Sequence, residues 1–165
     1  MLSSLNFLFG HDIQVSDKII FLDFDGVLAI DNPGLSDAHE RDKYGTIFSH
    51  HCVDCLRQII DDTSARIVIT SSWTNYLSLR KIKRMWRYRN LPGMVVDTIR
   101  NDGMDRSIKI DNWLIRYNIT NYVIIDDMDS RQFDEHLQGR LITVNTRFGL
   151  SLIEVNEVCK LLNVQ

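Results

Sequence analysis

Apolar and polar positions fall in blocks along this chain, and the blocks alternate between two periods. Ile19-Ile20-Phe21-Leu22 is an unbroken apolar run that meets Asp23-Phe24-Asp25-Gly26-Val27. A strand buried on both faces reads this way, and in open α/β sheets ligands bind beyond the carboxyl ends of the strands. After an irregular polar stretch over residues 29–46, Cys52, Val53, Leu56, Ile59 and Ile60 recur at helical spacing. A second apolar run occupies residues 66–70, and a helical stripe of Leu79, Ile82, Met85 and Trp86 follows, ended by Pro92-Gly93. Met94-Val95-Val96 predicts a third strand. From about Asp105 a helix places Ile110, Trp113, Leu114 and Tyr117 on one side; Tyr122-Val123-Ile124-Ile125 then runs as a fourth strand into Asp126-Asp127. A fifth strand at residues 141–144 leads through Gly149-Leu150 to Ser151-x-x-Glu154, a capping box that opens the last helix. Alternating strand and helix predict an α/β fold, a doubly wound, Rossmann-like sheet of five parallel strands with right-handed crossovers.

Three of these strands end in residues suited to phosphate chemistry: Asp23 and Asp25 after the first, Thr70, Ser71 and Ser72 after the second, Asp126, Asp127 and Asp129 after the fourth. In a parallel sheet those ends share one edge. Carboxylates gathered there repel one another unless a cation offsets the repulsion, and Mg²⁺ suits the role as a hard cation that takes oxygen ligands. The apolar stripe of the helix after residue 105 puts Arg106 on the inward face at its first turn, with Lys109 at the margin. Arg106 is therefore the first choice to meet phosphate oxygens, helped by the helix N-terminus, and Lys109 the second.

Taken together, these strings resemble the haloacid dehalogenase (HAD) superfamily of aspartate-nucleophile phosphohydrolases, and within it the small HAD domains associated with RNA-repair proteins. The resemblance is carried by Asp23-Phe24-Asp25-Gly26-Val27, Thr70-Ser71-Ser72-Trp73, a basic residue upstream of the fourth strand, Ile124-Ile125-Asp126-Asp127 and Gly149-Leu150-Ser151. It implies the sheet order 5-4-1-2-3. It implies Asp23 as nucleophile and metal ligand, and Asp25 as general acid and base with its backbone carbonyl on the metal. Asp127 would bind Mg²⁺ directly with Asp126 beside it, and Thr70 or Ser71 would join Arg106 in holding the phosphoryl group. The family more often has lysine where Arg106 stands. The implied activity is a Mg²⁺-dependent phosphomonoesterase with an aspartyl-phosphate intermediate. Residues 29–46 fall where the family inserts its cap and suffice only for a small lid, so an open site suits a large substrate such as a phosphoprotein or a polynucleotide end.

Composition narrows this picture. At 165 residues and 44% hydrophobic content the chain suits one domain. A net charge of −3 argues against coating nucleic acid or an anionic membrane through bulk charge. Three cysteines give no disulfide framework, no secretory signal is evident at the N-terminus, and no stretch approaches the roughly 20 apolar residues of a membrane span. A cytoplasmic protein is expected. Arg80, Lys83, Arg84 and Arg87 share one helix face; a solvated surface explains that spacing, and the functional reading is a guide for a nucleic-acid end, with Trp73 to stack on a base. Cys52-x-x-Cys55 behind His50 and His51 lacks two further zinc ligands and is expected in the core, while His11, His39 and His136 are expected at the surface. Two other function classes use similar residues. A phosphorylatable receiver-like signalling domain needs its aspartate on the third strand, where Asp97 lacks matching neighbours. An idle HAD binding module is disfavoured by the presence of both Asp23 and Asp25.

Overall fold

A computed structural model describes residues 13–32 and 40–163; His11, His39 and the middle of the expected lid lie outside them. The elements in chain order are β1 (Ile19–Leu22), β2 (Arg41–Asp42), β3 (Gly45–Thr46), α1 (His50–Thr63), β4 (Arg66–Ile69), α2 (Leu79–Tyr88), β5 (Met94–Thr98), α3 (Arg106–Tyr117), β6 (Tyr122–Asp126), α4 (Glu135–Gln138), β7 (Leu141–Thr143) and α5 (Leu152–Asn163). The five-stranded sheet is parallel throughout and runs β5-β4-β1-β6-β7. Counted along the chain, this is the expected order 5-4-1-2-3.

β1 lies at the centre, paired with β4 and β6, and its four side chains are fully buried. Ile20 and Leu22 pack into a cluster with Leu56 and Ile59 of α1, Ile82, Met85 and Trp86 of α2, and Val155, Val158 and Leu162 of α5. Ile19 and Phe21 point the other way, against Ile110, Trp113 and Leu114 of α3 and Leu137 of α4. Burial on both faces is why the run shows no polar alternation. Each such side chain contributes about 1.5–3 kcal/mol by leaving water, and Phe21 adds an edge contact with Trp113 at 5.3 Å. Cys52 and Cys55 are buried in this core, as expected.

Element ends follow from local chemistry. The capping box forms: Ser151 Oγ accepts from Ile153 N at 3.3 Å, and Glu154 accepts from Ser151 N at 2.9 Å. α2 stops at Tyr88, ahead of the expected Pro92-Gly93 stop, because Asn90 takes a left-handed conformation with φ 51°. The largest departure from expectation lies within residues 29–46, where β2 and β3 form an antiparallel hairpin instead of irregular chain. Its anchor is distant. Arg89, at the end of α2, donates to both carboxylate oxygens of Asp42 at 2.9 and 2.8 Å and lies over the Phe48 ring at 4.8 Å.

Candidate active site

The carboxyl ends of β1, β4 and β6 form one edge, and the acidic residues there point at one another. Asp23 follows β1 directly, its backbone held by Ile125 O at 3.1 Å, and the residue is only 5% exposed. Its Oδ1 accepts from Phe24 N at 2.7 Å and its Oδ2 accepts from Arg106 Nη1 at 3.1 Å, while the Ser71 hydroxyl helps stabilise its charged form. Asp126, the last residue of β6, is fully buried and accepts from Met128 N at 2.9 Å and from the same Arg106 nitrogen. One carboxylate oxygen each from Asp23, Asp126 and Asp127 lie within 4.8 Å of one another.

The turn after Asp23 makes room for this. Gly26 has φ 74°, and a Cβ there would come within 2.5 Å of Asp127 Oδ2. Glycine is the residue that satisfies both the dihedral angle and the close approach.

Electrostatics favour a cation in the cluster. Burial, and then the charge of Asp126, hold the Asp23 carboxyl above its ordinary value; burial also raises Asp126 against the pull of Arg106, and burial and then Asp23 raise Asp127. For Arg106, burial opposes the charge, but Asp126 and Asp23 more than offset it and hold the guanidinium above its ordinary value. One guanidinium against three carboxylates leaves excess negative charge when all are ionised. The donors are all hard oxygens, the set that suits Mg²⁺.

The hydroxyl residues after β4 divide the remaining work. Thr70 is 1% exposed, and its Oγ1 is buried with no hydrogen-bond partner among the described residues. Such an atom fits a site that awaits a ligand oxygen. Ser71 helps stabilise the charged form of Asp23 and caps the 3₁₀ turn Ser72–Asn75 through Trp73 N at 3.4 Å. Asp25 stands apart from the three-carboxylate cluster. It is exposed, and its two oxygens accept from Ser72 Oγ at 3.1 Å and Trp73 Nε1 at 3.0 Å. These two donors were not foreseen from the sequence, although the adjacency of the first and second strands could have suggested them.

Other expected residues sort by their contacts. Lys109 donates to Arg100 O at 2.5 Å and pairs with Asp102, so it serves the loop before α3 and leaves Arg106 as the cation at Asp23. Asp129 pairs with Arg131, which holds its carboxyl at about 2, outside the cluster. Trp73 is half-buried against Phe24 and Phe48, at 5.4 and 5.6 Å, rather than presented as an open ring. Arg80, Arg84 and Arg87 face solvent, while Lys83 is partly covered. Asp97 on the third sheet strand accepts from Trp113 Nε1 at 2.8 Å and from Thr98 N at 2.8 Å, a structural role unlike that of a receiver aspartate. Cys52 and Cys55 join no group of metal-ligating side chains among the described residues; the second such group is Asp111, Asp134 and His136, largely solvent-exposed.

A family model for the HAD domain in Swiss Army Knife RNA repair proteins matches residues 19–155. The chain belongs to this family. The matched span of the HAD domain begins at the first residue of β1 and ends within α5, so it takes in every residue of the acidic edge. Neither the curated proteins nor the solved structures contain a match to the chain. Among the described residues no helix is long and apolar enough to cross a membrane.

Proposed function

We propose that this HAD domain is a magnesium-dependent phosphomonoesterase acting through an aspartyl-phosphate on Asp23. The observation that carries this reading is the meeting of Asp23, Asp126 and Asp127 around one point, with Arg106 bridging Asp23 and Asp126. Asp23, Asp127 and Asp126 would hold the ion, joined by the backbone carbonyl of Asp25. Bound Mg²⁺ supplies positive charge for the phosphoryl oxygens and neutralises the crowded carboxylates.

The chain's own groups do the rest. The Asp23 carboxylate attacks phosphorus in line, the ester P–O bond breaks, and protonated Asp25 gives its proton to the leaving oxygen. Asp25 then takes a proton from the water that attacks phosphorus, the Asp23–phosphorus bond breaks, and phosphate leaves. Arg106 and the hydroxyls of Thr70 and Ser71 hold the equatorial oxygens, the kind of preorganised electrostatics on which phosphoryl transfer mainly depends. Asp25 and Asp127 line a cavity of about 560 Å³ that opens to solvent, as suits a large phosphorylated substrate. The family's description refers to RNA repair, which favours a polynucleotide end. None of the three cysteines forms a disulfide, which accords with a reducing cytoplasm.

The test is hydrolysis of p-nitrophenyl phosphate. Turnover is expected with Mg²⁺, is expected to stop with a chelator, and is expected to vanish in Asp23→Asn while the circular dichroism spectrum is kept. A metal-independent, active Asp23→Asn protein would overturn the mechanism.

A further inference from the structure

The cavity that Asp25 and Asp127 share is also lined by Arg41, Thr46, Thr146 and Arg147. A site for a single phosphoryl group already has Arg106 and its metal ligands, so two more guanidiniums on the same cavity need a reason. Among the described residues neither Arg41 nor Arg147 forms an ion pair, although the cavity also contains carboxylates. Exposed arginines are ordinary on protein surfaces. What sets this pair apart is the backbone that presents it.

Arg41 and Thr46 are register partners in the β2–β3 hairpin, and both face the cavity. The other pair, Asp42 and Gly45, faces Arg89 and Trp73: Asp42 takes the two Arg89 bonds, and a Cβ on Gly45 would lie 3.5 Å from the Trp73 ring. The hairpin is therefore clamped on one face and offers its arginine on the other. Arg147 is fixed in a similar way, its N donating to Asn145 Oδ1 at 3.0 Å and its O accepting from Asn32 Nδ2 at 2.9 Å. Both backbones are held, and among the described residues neither charged head forms an ion pair, Arg147 lying only over the Phe148 ring at 5.9 Å.

We propose that Arg41 and Arg147 form a second anion subsite, with the Thr46 and Thr146 hydroxyls as further donors, and that the preferred substrate is a phosphomonoester bearing an additional phosphate group. This rests on the phosphatase reading above. A guanidinium matches phosphate with a planar pair of donors, and held close to the catalytic carboxylates the two arginines select for charge placed beyond the scissile ester. The site thereby discriminates against small monoesters of neutral alcohols.

The experiment compares kcat/KM for adenosine 3′,5′-bisphosphate, the two adenosine monophosphates and p-nitrophenyl phosphate, in the wild type, Arg41→Gln, Arg147→Gln and the double variant. The wild type should favour the bisphosphate over the better monophosphate by about tenfold or more, mainly through KM, since one charge-assisted hydrogen bond is worth about that factor. The preference should shrink in each single variant, disappear in the double variant and weaken as salt is added. Equal values for bisphosphate and monophosphates, or a preference that survives in the double variant, would overturn the subsite and leave the phosphatase standing. No turnover of any of the four compounds would overturn both.

Discussion

The indole Nε1–H of Trp73 donates to Asp25 Oδ1 at 3.0 Å, so the orientation of Asp25 is set by the loop after β4 and not by its own strand. Ser72 Oγ holds the other oxygen at 3.1 Å. Trp73→Phe keeps the packing against Phe24 and Phe48 and removes the donor. If Asp25 protonates the leaving oxygen, the loss should depend on how much the leaving group needs that proton. We expect turnover of an alkyl phosphate to fall about tenfold or more, and turnover of p-nitrophenyl phosphate, whose phenolate leaves unaided, to fall less. Equal losses for the two substrates would mean that Trp73 acts through packing alone.

Arg106 bridges two buried carboxylates, and its removal strands both. Arg106→Met should lower stability by about 3–5 kcal/mol in urea unfolding without metal, because charges that lose a buried partner stay uncompensated. Added Mg²⁺ should recover part of that loss. Phosphatase activity should collapse in the methionine variant and be partly kept in Arg106→Lys. Unchanged stability would show that Asp23 and Asp126 are relieved by some other group.

Asp23, Asp126 and Asp127 also predict a pH dependence of stability. Their folded values are raised above the ordinary 3.8, so their contribution to stability is fullest below 3.8 and is lost as the pH rises through the raised values. Asp42, Asp102 and Asp129 are lowered and act only as the pH falls below 3.8. The metal-free protein should therefore lose stability as the pH rises above 3.8, and, with melting compared at about pH 5 and about pH 8, Mg²⁺ should raise Tm more at the higher pH. His136, raised by its bond to Asp111, adds a slope in the same direction above 6.5 that Mg²⁺ leaves alone. Comparing melting curves with and without the ion isolates the three carboxylates. An equal gain at both pH values would contradict the assignment.

The parts of the fold that follow local rules were legible in the sequence. β1 reads as a strand covered on both faces because its run is unbroken and apolar, its central place in the sheet coming from the family resemblance, and Arg106 follows from the phase of the α3 stripe. Asp23, Asp126 and Asp127 stood out because apolar runs seldom end in adjacent acids without function. The β2–β3 hairpin was not legible. Its strands are two residues long, and the clamp on them is an arginine 47 positions away from Asp42, which no local pattern displays. Thr70 and Ser71 could not be ranked from sequence because three hydroxyl residues adjoin; the structure separates them, Thr70 Oγ1 having no hydrogen-bond partner among the described residues and Ser71 stabilising the charge of Asp23. The diversion of Lys109 depends on the path of residues 100–102, which spacing along a helix does not reveal.

The central claim is a covalent phosphoryl group on Asp23, and the most direct test is mass spectrometry of protein quenched in acid during turnover with Mg²⁺. The account predicts one added phosphoryl group on the peptide that contains Asp23, absent when chelator is present and absent from Asp23→Asn. Steady turnover with no modified peptide, or with the phosphoryl group on another residue, would contradict it.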